Sequence, residues 1–393
     1  MTGKTSAKNA TDRGKNALGA WLEAQPTNYF LADDGLARAL EMHLGQEAFE
    51  AFRPQLEEFG KAMADVDAAV RENNLHRNLP RLETRDGIGR VIDEVVHHPS
   101  YHVVGRAIYE GGAMHALGDA EFPNTRALAL FYLSSLNGEA GHNCPLACTA
   151  GLIKILQYVA DPEIRERYLE RLLIPDYDKH LHGAQFLTEI QGGSDVGANA
   201  TVASPDPDED GAYRIRGEKW FCSNIGGDIT LMTARIDGAE EGTRGLGLFL
   251  VPLRNEDGSP NGYRVWRLKD KIGTRSMASG EINLEGAKAY HMGPVSEGFR
   301  NMMRYVIHSS RIYNALSSVG GMRRATITAW TYAQHREAFG NTIGNYPLVQ
   351  EVLADMRSDT AAVRATCFHL LKIQDELERG FGGDESEQAA QRM

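Results

Sequence analysis

The stretch Gln185–Ala198 reads QFLTEIQGGSDVGA. Gly192 and Gly193 let backbone N–H groups approach a ligand closely, because no Cβ stands in the way. Thr188 and Ser194 offer hydroxyls that hydrogen-bond a polar ring edge or a phosphate. Asp195, after Ser194, suits a capping turn. Turn geometry alone also calls for two glycines, so from these residues a binding loop and a plain turn stand about even. Glu189 reads as a structural carboxylate bonded to loop N–H groups rather than as a base.

The texture changes on either side of this stretch. From about 30 to 180 the pattern is helical. Phe49, Phe52, Leu56, Phe59, Met63, Val66 and Val70 recur at spacings of three and four, which predicts one long helix with an apolar stripe, interrupted at Pro54. Ala150–Val159 and Pro162–Leu173 read as further helices, the second with an acidic first turn. From about 181 to 290, short β-branched or aromatic runs (Tyr213–Arg216, Ile229–Ile236, Leu246–Pro252, Gly262–Trp266) are separated by Gly, Asn and Asp. Strands at this spacing predict a β-barrel or sandwich. From about 291 helical spacing returns, with Val349, Val352, Leu353, Met356, Val363, Cys367 and Leu370 on one stripe.

The predicted order is a flexible tail over 1–29, an α-helical domain over 30–180, and a β-barrel domain over 181–290. A partial helical bundle over 291–379 and a tail over 380–393 follow. This is an α+β arrangement. Strands and helices do not alternate, so a doubly wound parallel sheet is excluded, and no G-x-G-x-x-G follows a strand.

The chain has 393 residues, of which 42% are hydrophobic and 24% charged, the balance of a globular protein. Its net charge of −11 gives no general attraction to nucleic acid or to an anionic membrane. No apolar run reaches the ~18 residues of a membrane span. Four cysteines fit a reducing compartment, and a cytoplasmic location is expected. Lys4, Lys8, Arg13 and Lys15 precede Ala17–Leu22, a segment too short and polar for a secretory signal.

The stretch at 185–198 resembles the T-E-x-x-G-G-S-D signature of the acyl-CoA dehydrogenase family. Gly217–Asn224 (GEKWFCSN), Asp270–Ser276 (DKIGTRS) and His335–Gly340 (HREAFG) resemble three further segments of that family, in its order. The resemblance covers roughly residues 90–375. It implies an acyl-CoA dehydrogenase-like fold with a helical N-domain, a β-barrel and a C-terminal helical bundle, here incomplete. It implies FAD as cofactor, an acyl-CoA-like substrate, and a homo-oligomer built as a dimer of dimers. Carried over residue by residue, Phe186, Leu187 and Thr188 lie along the flavin, and Gly193 and Ser194 belong to the same loop. Phe221, Cys222 and Ser223 line its other face, and Arg336 and Phe339 reach the FAD of a partner subunit. Gly141–Pro145 (GHNCP), QGGSD, KWF at 219–221, RLKDKIGTRSMAS at 267–279, GMRRA at 321–325 and Pro347 look like the DNA-alkylation-response branch of the family.

The family removes a proton α to a thioester and needs a carboxylate there. In this chain Ser310, ahead of Arg311, stands at one such position, and the other lies beyond the last residue. No catalytic residue is therefore assigned, and weak dehydrogenation is expected. The alternative function is a flavoprotein of the alkylation response that binds nucleic acid. Arg300, Arg304, Arg311, Arg323 and Arg324 are its one basic concentration. His142, Cys144 and Cys148 lack a second pair for a metal, and His97, His98, His102 and His115 read as scattered residues without a role.

Overall fold

The computed structural model describes residues 3–380, with side chains from residue 11 onward. Helix α1 (Gly3–Glu23) occupies most of the segment expected as a flexible tail. Helix α2 (Asp34–Leu44) starts where the Asp33 carboxylate accepts the Leu36 N–H at 3.2 Å, and it stops at Gly45, whose φ is 83°. Helix α3 (Gln46–Asp65) buries Phe49, Phe52, Leu56, Phe59 and Met63, with Pro54 inside it. The predicted single helix breaks at Val66 and resumes as α4 (Asp67–Asn73). A hairpin that the helical reading missed follows, β1 (Arg81–Arg85) with β2 (Val91–Val96). Its charged residues and lack of fully buried side chains hid the strand pattern.

Helices α5 (Pro99–Glu110), α6 (Pro123–Ser135), α7 (Asn143–Tyr158) and α8 (Pro162–Leu173) come next. Pro162 at the first helical position and Glu163 in the first turn explain why α8 begins where the sequence predicts.

The middle region holds β3 (Gly183–Phe186), β4 (Val202–Pro205), β5 (Ala212–Ser223), β6 (Ile229–Ile236), β7 (Leu246–Pro252), β8 (Tyr263–Leu268) and β9 (Ser279–His291). Strand β5 pairs antiparallel with β4 and β9, β4 runs parallel to β6, and β7 pairs antiparallel with β6 and β9. The ring β4–β5–β9–β7–β6 therefore closes into a five-stranded barrel, which leaves no open edge between these strands. Strand β3 lies parallel to β6, and β8 flanks β9. Ile215, Met232, Phe249 and Ile282 fill the interior at 0% exposure.

The remaining elements are α9 (Gly298–Asn301), a π-helical turn over Met302–Ile307, α10 (His308–His335), the short strands β10 (Glu337–Ala338) and β11 (Asn341–Thr342), and α11 (Pro347–Glu378). Gly151 on α7 allows the π-turn to approach, since a Cβ there would stand 3.1 Å from the Val306 Cα. The apolar stripe expected on α11 is only partly inside. Leu353 and Cys367 are buried, but Val352, Val363 and Leu370 are exposed, and Phe368, Leu371 and Arg364 face inward instead. The fold is thus a mixed α+β one, with helices, a barrel and helices in chain order.

These elements pack as two compact units that do not follow chain order. The first comprises Met1–Asp65, Tyr132–Gly138 and Ala315–Met393, as far as these are described, and the second Val66–Phe131 and Glu139–Asn314. Within the first, buried Asp33 accepts the Tyr132 hydroxyl at 2.5 Å and Arg364 Nη1 at 2.6 Å, so α2, α6 and α11 share one polar node. The second contains the hairpin, the barrel and the helices α4, α5, α7 and α8. The predicted tail over 380–393 lies outside the described residues from 381 onward. Among the described residues no helix is long and apolar enough to cross a membrane.

Candidate cofactor-binding site

Strand alternation decides which of the predicted residues face outward. On β3 and β5 the side chains of Phe186 (1% exposed) and Cys222 (0%) turn into the barrel core. The Phe186 ring stacks on Tyr263 at 6.5 Å between centroids. Phe186 and Cys222, both expected along the flavin, therefore have their side chains in the barrel core. Leu187 and Thr188, just past the end of β3, are half-buried. The Thr188 carbonyl accepts the Trp220 N–H at 2.9 Å, which fastens the signature loop alongside β5. Gly193 sits over Thr188, and a Cβ there would lie 2.6 Å from Thr188 Oγ1, so only glycine fits without a shift. Gly193 and Ser194 are exposed.

At the end of β5, Ser223 lies opposite Gln185 in register. The chain then turns at Asn224 with a φ of 56°, and the Asn224 amide donates to the Gly183 carbonyl at 3.0 Å. Phe221 is 45% exposed. Trp220 and Phe221 both stand near the Lys269 ammonium, at 4.0 and 5.5 Å from their ring centroids, and the Thr188 backbone is fastened to Trp220. Aromatic rings with nearby hydroxyl-bearing residues on the same strand pair suit a planar, polar-edged ligand. Arg336 and Phe339 belong to the other compact unit, in the turn after α10, where the Arg336 carbonyl accepts the Ile343 N–H at 2.8 Å. Phe339 has a φ of 53° and is 98% exposed.

Glu189 is held from four sides. It accepts Lys219 Nζ at 2.8 Å, Thr201 Oγ1 at 2.6 Å, the Ala200 N–H at 2.6 Å and Gln191 Nε2 at 2.8 Å. Burial alone would raise its pKa, but the Lys219 ammonium and these donors hold it down at about 2. It is a fixed anion with a structural task. Lys219 is a functional neighbour whose role sequence reasoning missed. Strict alternation would turn Lys219 and Cys222 to opposite faces; the ladder shifts register between them, so both point inward, and that slip is what the sequence did not announce.

Ser310 Oγ accepts Gln185 Nε2 at 2.9 Å, which places a neutral hydroxyl–amide pair at that position. His142, Cys144 and Cys148 form no metal-binding group among the described residues. Of the histidines read as scattered, His97 and His102 pack against Tyr101, in a cluster that also takes in His142, His180 and His182, whereas His98 bonds Ser100 and His115 the Leu173 carbonyl. His142 stacks on Tyr101 at 3.9 Å, Tyr101 on His97 at 3.8 Å, and Tyr109 touches both His180 and His182. The arginines read as one basic concentration divide between the two units. Arg323 donates to the Ala32 carbonyl and Arg324 to the Tyr29 hydroxyl, so both spend donors within the protein.

Comparison with known proteins bears on the family and the fold. Residues 22–179 match the family described as adaptive response protein AidB N-terminal domain. Residues 184–287 match the acyl-CoA dehydrogenase middle domain, and 296–390 the acyl-CoA dehydrogenase C-terminal domain. The putative acyl-CoA dehydrogenase AidB of Escherichia coli (strain K12) is 32% identical over 89% of this chain. A solved structure titled Bd2924 apo-form superposes with a TM-score of 0.88 at 32% identity, covering 94% of this chain and 74% of that one. Caenorhabditis elegans ACDH-11, solved in complex with C11-CoA, gives 0.83 at 31% identity over 92% of this chain. The chain spans 64% of the length of the bacterial relative and 63% of the nematode one. With its barrel and its C-terminal helices both matched in order behind an AidB-type N-terminal region, this chain belongs to the acyl-CoA dehydrogenase family.

Proposed function

We propose that this chain is an FAD-dependent, acyl-CoA dehydrogenase-type oxidoreductase acting on the CH–CH group of acyl thioesters. The observation that carries the reading is the Trp220 N–H bond to the Thr188 carbonyl, which fastens the signature loop, with Gly193 over Thr188, beside the β5 segment that bears Ser223 and the exposed Phe221. In this reading Thr188 and Ser223 hydrogen-bond the flavin's polar rim, and Phe221 lies along the ring. Leu187 and the backbone of Phe186 and Cys222 complete the wall, and Ser194 meets phosphate or the thioester. Bound FAD supplies hydride acceptance at its ring.

The chain's own residues set the limit on rate. Ser310 is a hydroxyl already engaged by Gln185, and Glu189 is a locked anion, so neither removes the α-proton efficiently. Exposed Arg336 and Phe339 suit contact with the FAD of a second copy, within a dimer-of-dimers homo-oligomer. An arginine fork matches pyrophosphate geometry.

The test is anaerobic spectroscopy of FAD-loaded protein with a panel of acyl-CoAs. The reading predicts that at least one acyl-CoA perturbs the flavin band and bleaches it slowly. No perturbation by any acyl-CoA would overturn it.

A further inference from the structure

Helix α1 is tied to α10 at one hydroxyl. Trp21 Nε1 donates to Thr331 Oγ1 at 3.1 Å, and Gln25 Nε2 donates to the same oxygen at 3.2 Å. Thr331 Oγ1 in turn donates to the Ile327 carbonyl at 2.9 Å, so its own helix fixes it. The Trp21 and Tyr332 rings meet at 87°, 5.5 Å between centroids. All of these residues belong to the first compact unit.

Beside this junction lies a cavity of about 640 Å³, within the ~300–1,000 Å³ usual for small-molecule sites. From α1 come Arg13, Ala17 and Trp21, four residues apart and therefore on one helix face. Gly14 also lines the cavity, and a Cβ there would meet nothing within 4 Å, so the space over this turn is open. The opposite wall is the end of α10 and the turn after it, with Tyr332, Arg336 and Phe339. Arg13 and Arg336 are exposed, and their guanidiniums make no hydrogen bond or ion pair among the described residues. Against these two charges stands one carboxylate among the described lining residues, Glu337. The His335 ring is engaged, with Nδ1 bonded to the Thr331 carbonyl at 2.7 Å.

Three rings and two unpaired guanidiniums suit one kind of ligand. Guanidinium forks match the oxygens of a pyrophosphate, and aromatic faces take a purine base. An acyl chain would leave both charges unanswered, and a bare phosphate would leave the rings unused. We propose that α1 is part of the cofactor site: Trp21 lies against the adenine of an FAD, and Arg13 joins Arg336 on its pyrophosphate. The proposal rests on the flavin reading above and extends it to a segment that none of the four family-like motifs contains. The segment expected as a flexible tail thereby becomes a determinant of FAD over FMN, which lacks the adenylate.

The test uses the full chain freed of flavin. Dissociation constants for FAD and for FMN are read by flavin fluorescence, and ADP is titrated in as a competitor of FAD. W21A weakens FAD binding about 5- to 150-fold, the cost of removing one ring stacked on a base, and leaves FMN binding unchanged. W21F recovers most of the loss. R13Q, at an exposed position, weakens FAD several-fold with FMN again unchanged, and serves alone if W21A does not fold. ADP displaces FAD from the parent and does so less well from either variant. An FAD-to-FMN affinity ratio that W21A, or R13Q in its place, leaves unmoved overturns the proposal, whether both affinities fall together or neither does. A parent that binds FMN as tightly as FAD overturns it too and leaves the flavin reading standing. A folded parent that takes up neither flavin overturns both.

Discussion

Glu189 Oε1 and Lys219 Nζ meet at 2.8 Å inside the protein, with side chains only 4% and 0% exposed. Glu189 belongs to the signature loop and Lys219 to β5, so this pair ties together the two segments that form the candidate site. Breaking a buried pair leaves one uncompensated charge, which costs about 3–5 kcal/mol. Lys219→Met should lower the urea midpoint accordingly. The double variant with Glu189→Gln should recover part of the loss, because it removes the stranded carboxylate. A single K219M variant as stable as the parent would show that the pair is not holding the loop.

Phe186 and Phe221 should behave oppositely. Phe186 is a barrel-core ring at 1% exposure, whereas Phe221 is 45% exposed at the site edge. Phe186→Ala should destabilise the barrel by about 3–5 kcal/mol. Phe221→Ala should change stability by only about 0.5 kcal/mol while weakening FAD retention. Denaturant unfolding and FAD dissociation constants, measured on both variants, separate the two roles.

Stability should fall on acidification through the histidine–tyrosine cluster. Burial lowers His97 to about 4 and His180 to about 3 from an ordinary 6.5, and it lowers His142 and His182 as well. Below pH 6.5 the unfolded chain binds protons that the folded one refuses, so stability is intact above that pH. It drains away as the pH falls toward 4 and 3. For a site as buried as His180, at 4% exposure, the loss is about 4 kcal/mol by pH 3. Glu139 works in the opposite sense, since its raised carboxyl takes up a proton earlier in the folded state. Thermal midpoints between pH 7 and 4 should fall in the parent and fall less in His180→Asn.

Ser310→Glu should accelerate flavin bleaching by acyl-CoA. It puts a carboxylate where the parent has a hydroxyl bound to Gln185, and a positioned base contributes about 10²–10⁴-fold. Stopped-flow absorbance on FAD-loaded protein reads the change. An unchanged rate would mean that position 310 does not face the substrate's α-carbon.

Parts of this fold were plain in the sequence for a physical reason. Ile229–Ile236 and Leu246–Pro252 are almost wholly buried apolar runs, and the structure has strands with those bounds. Strand β9 was missed because Asn283, Glu285, Gly286 and Lys288 break its pattern, although it is the barrel's longest strand. The first compact unit was not legible at all, because its polar node joins Asp33 to Arg364, 331 positions apart. The hydroxyls of Thr188 and Ser223 stood out through motif, whereas the inward turn of Phe186 and Cys222 needed the strand register. The histidine cluster gathers residues spread from 97 to 182, which no local spacing announces.

The most direct measurement is a titration of the purified chain with FAD, followed by flavin fluorescence and absorbance, for the parent and for Thr188→Ala/Ser223→Ala. Each hydroxyl is expected to contribute roughly 0.5–1.5 kcal/mol, so the double variant should bind FAD some 5- to 150-fold more weakly with its barrel still folded. A folded parent that takes up no FAD, or a double variant with an unchanged dissociation constant, would contradict the placement of the flavin beside Thr188 and Ser223.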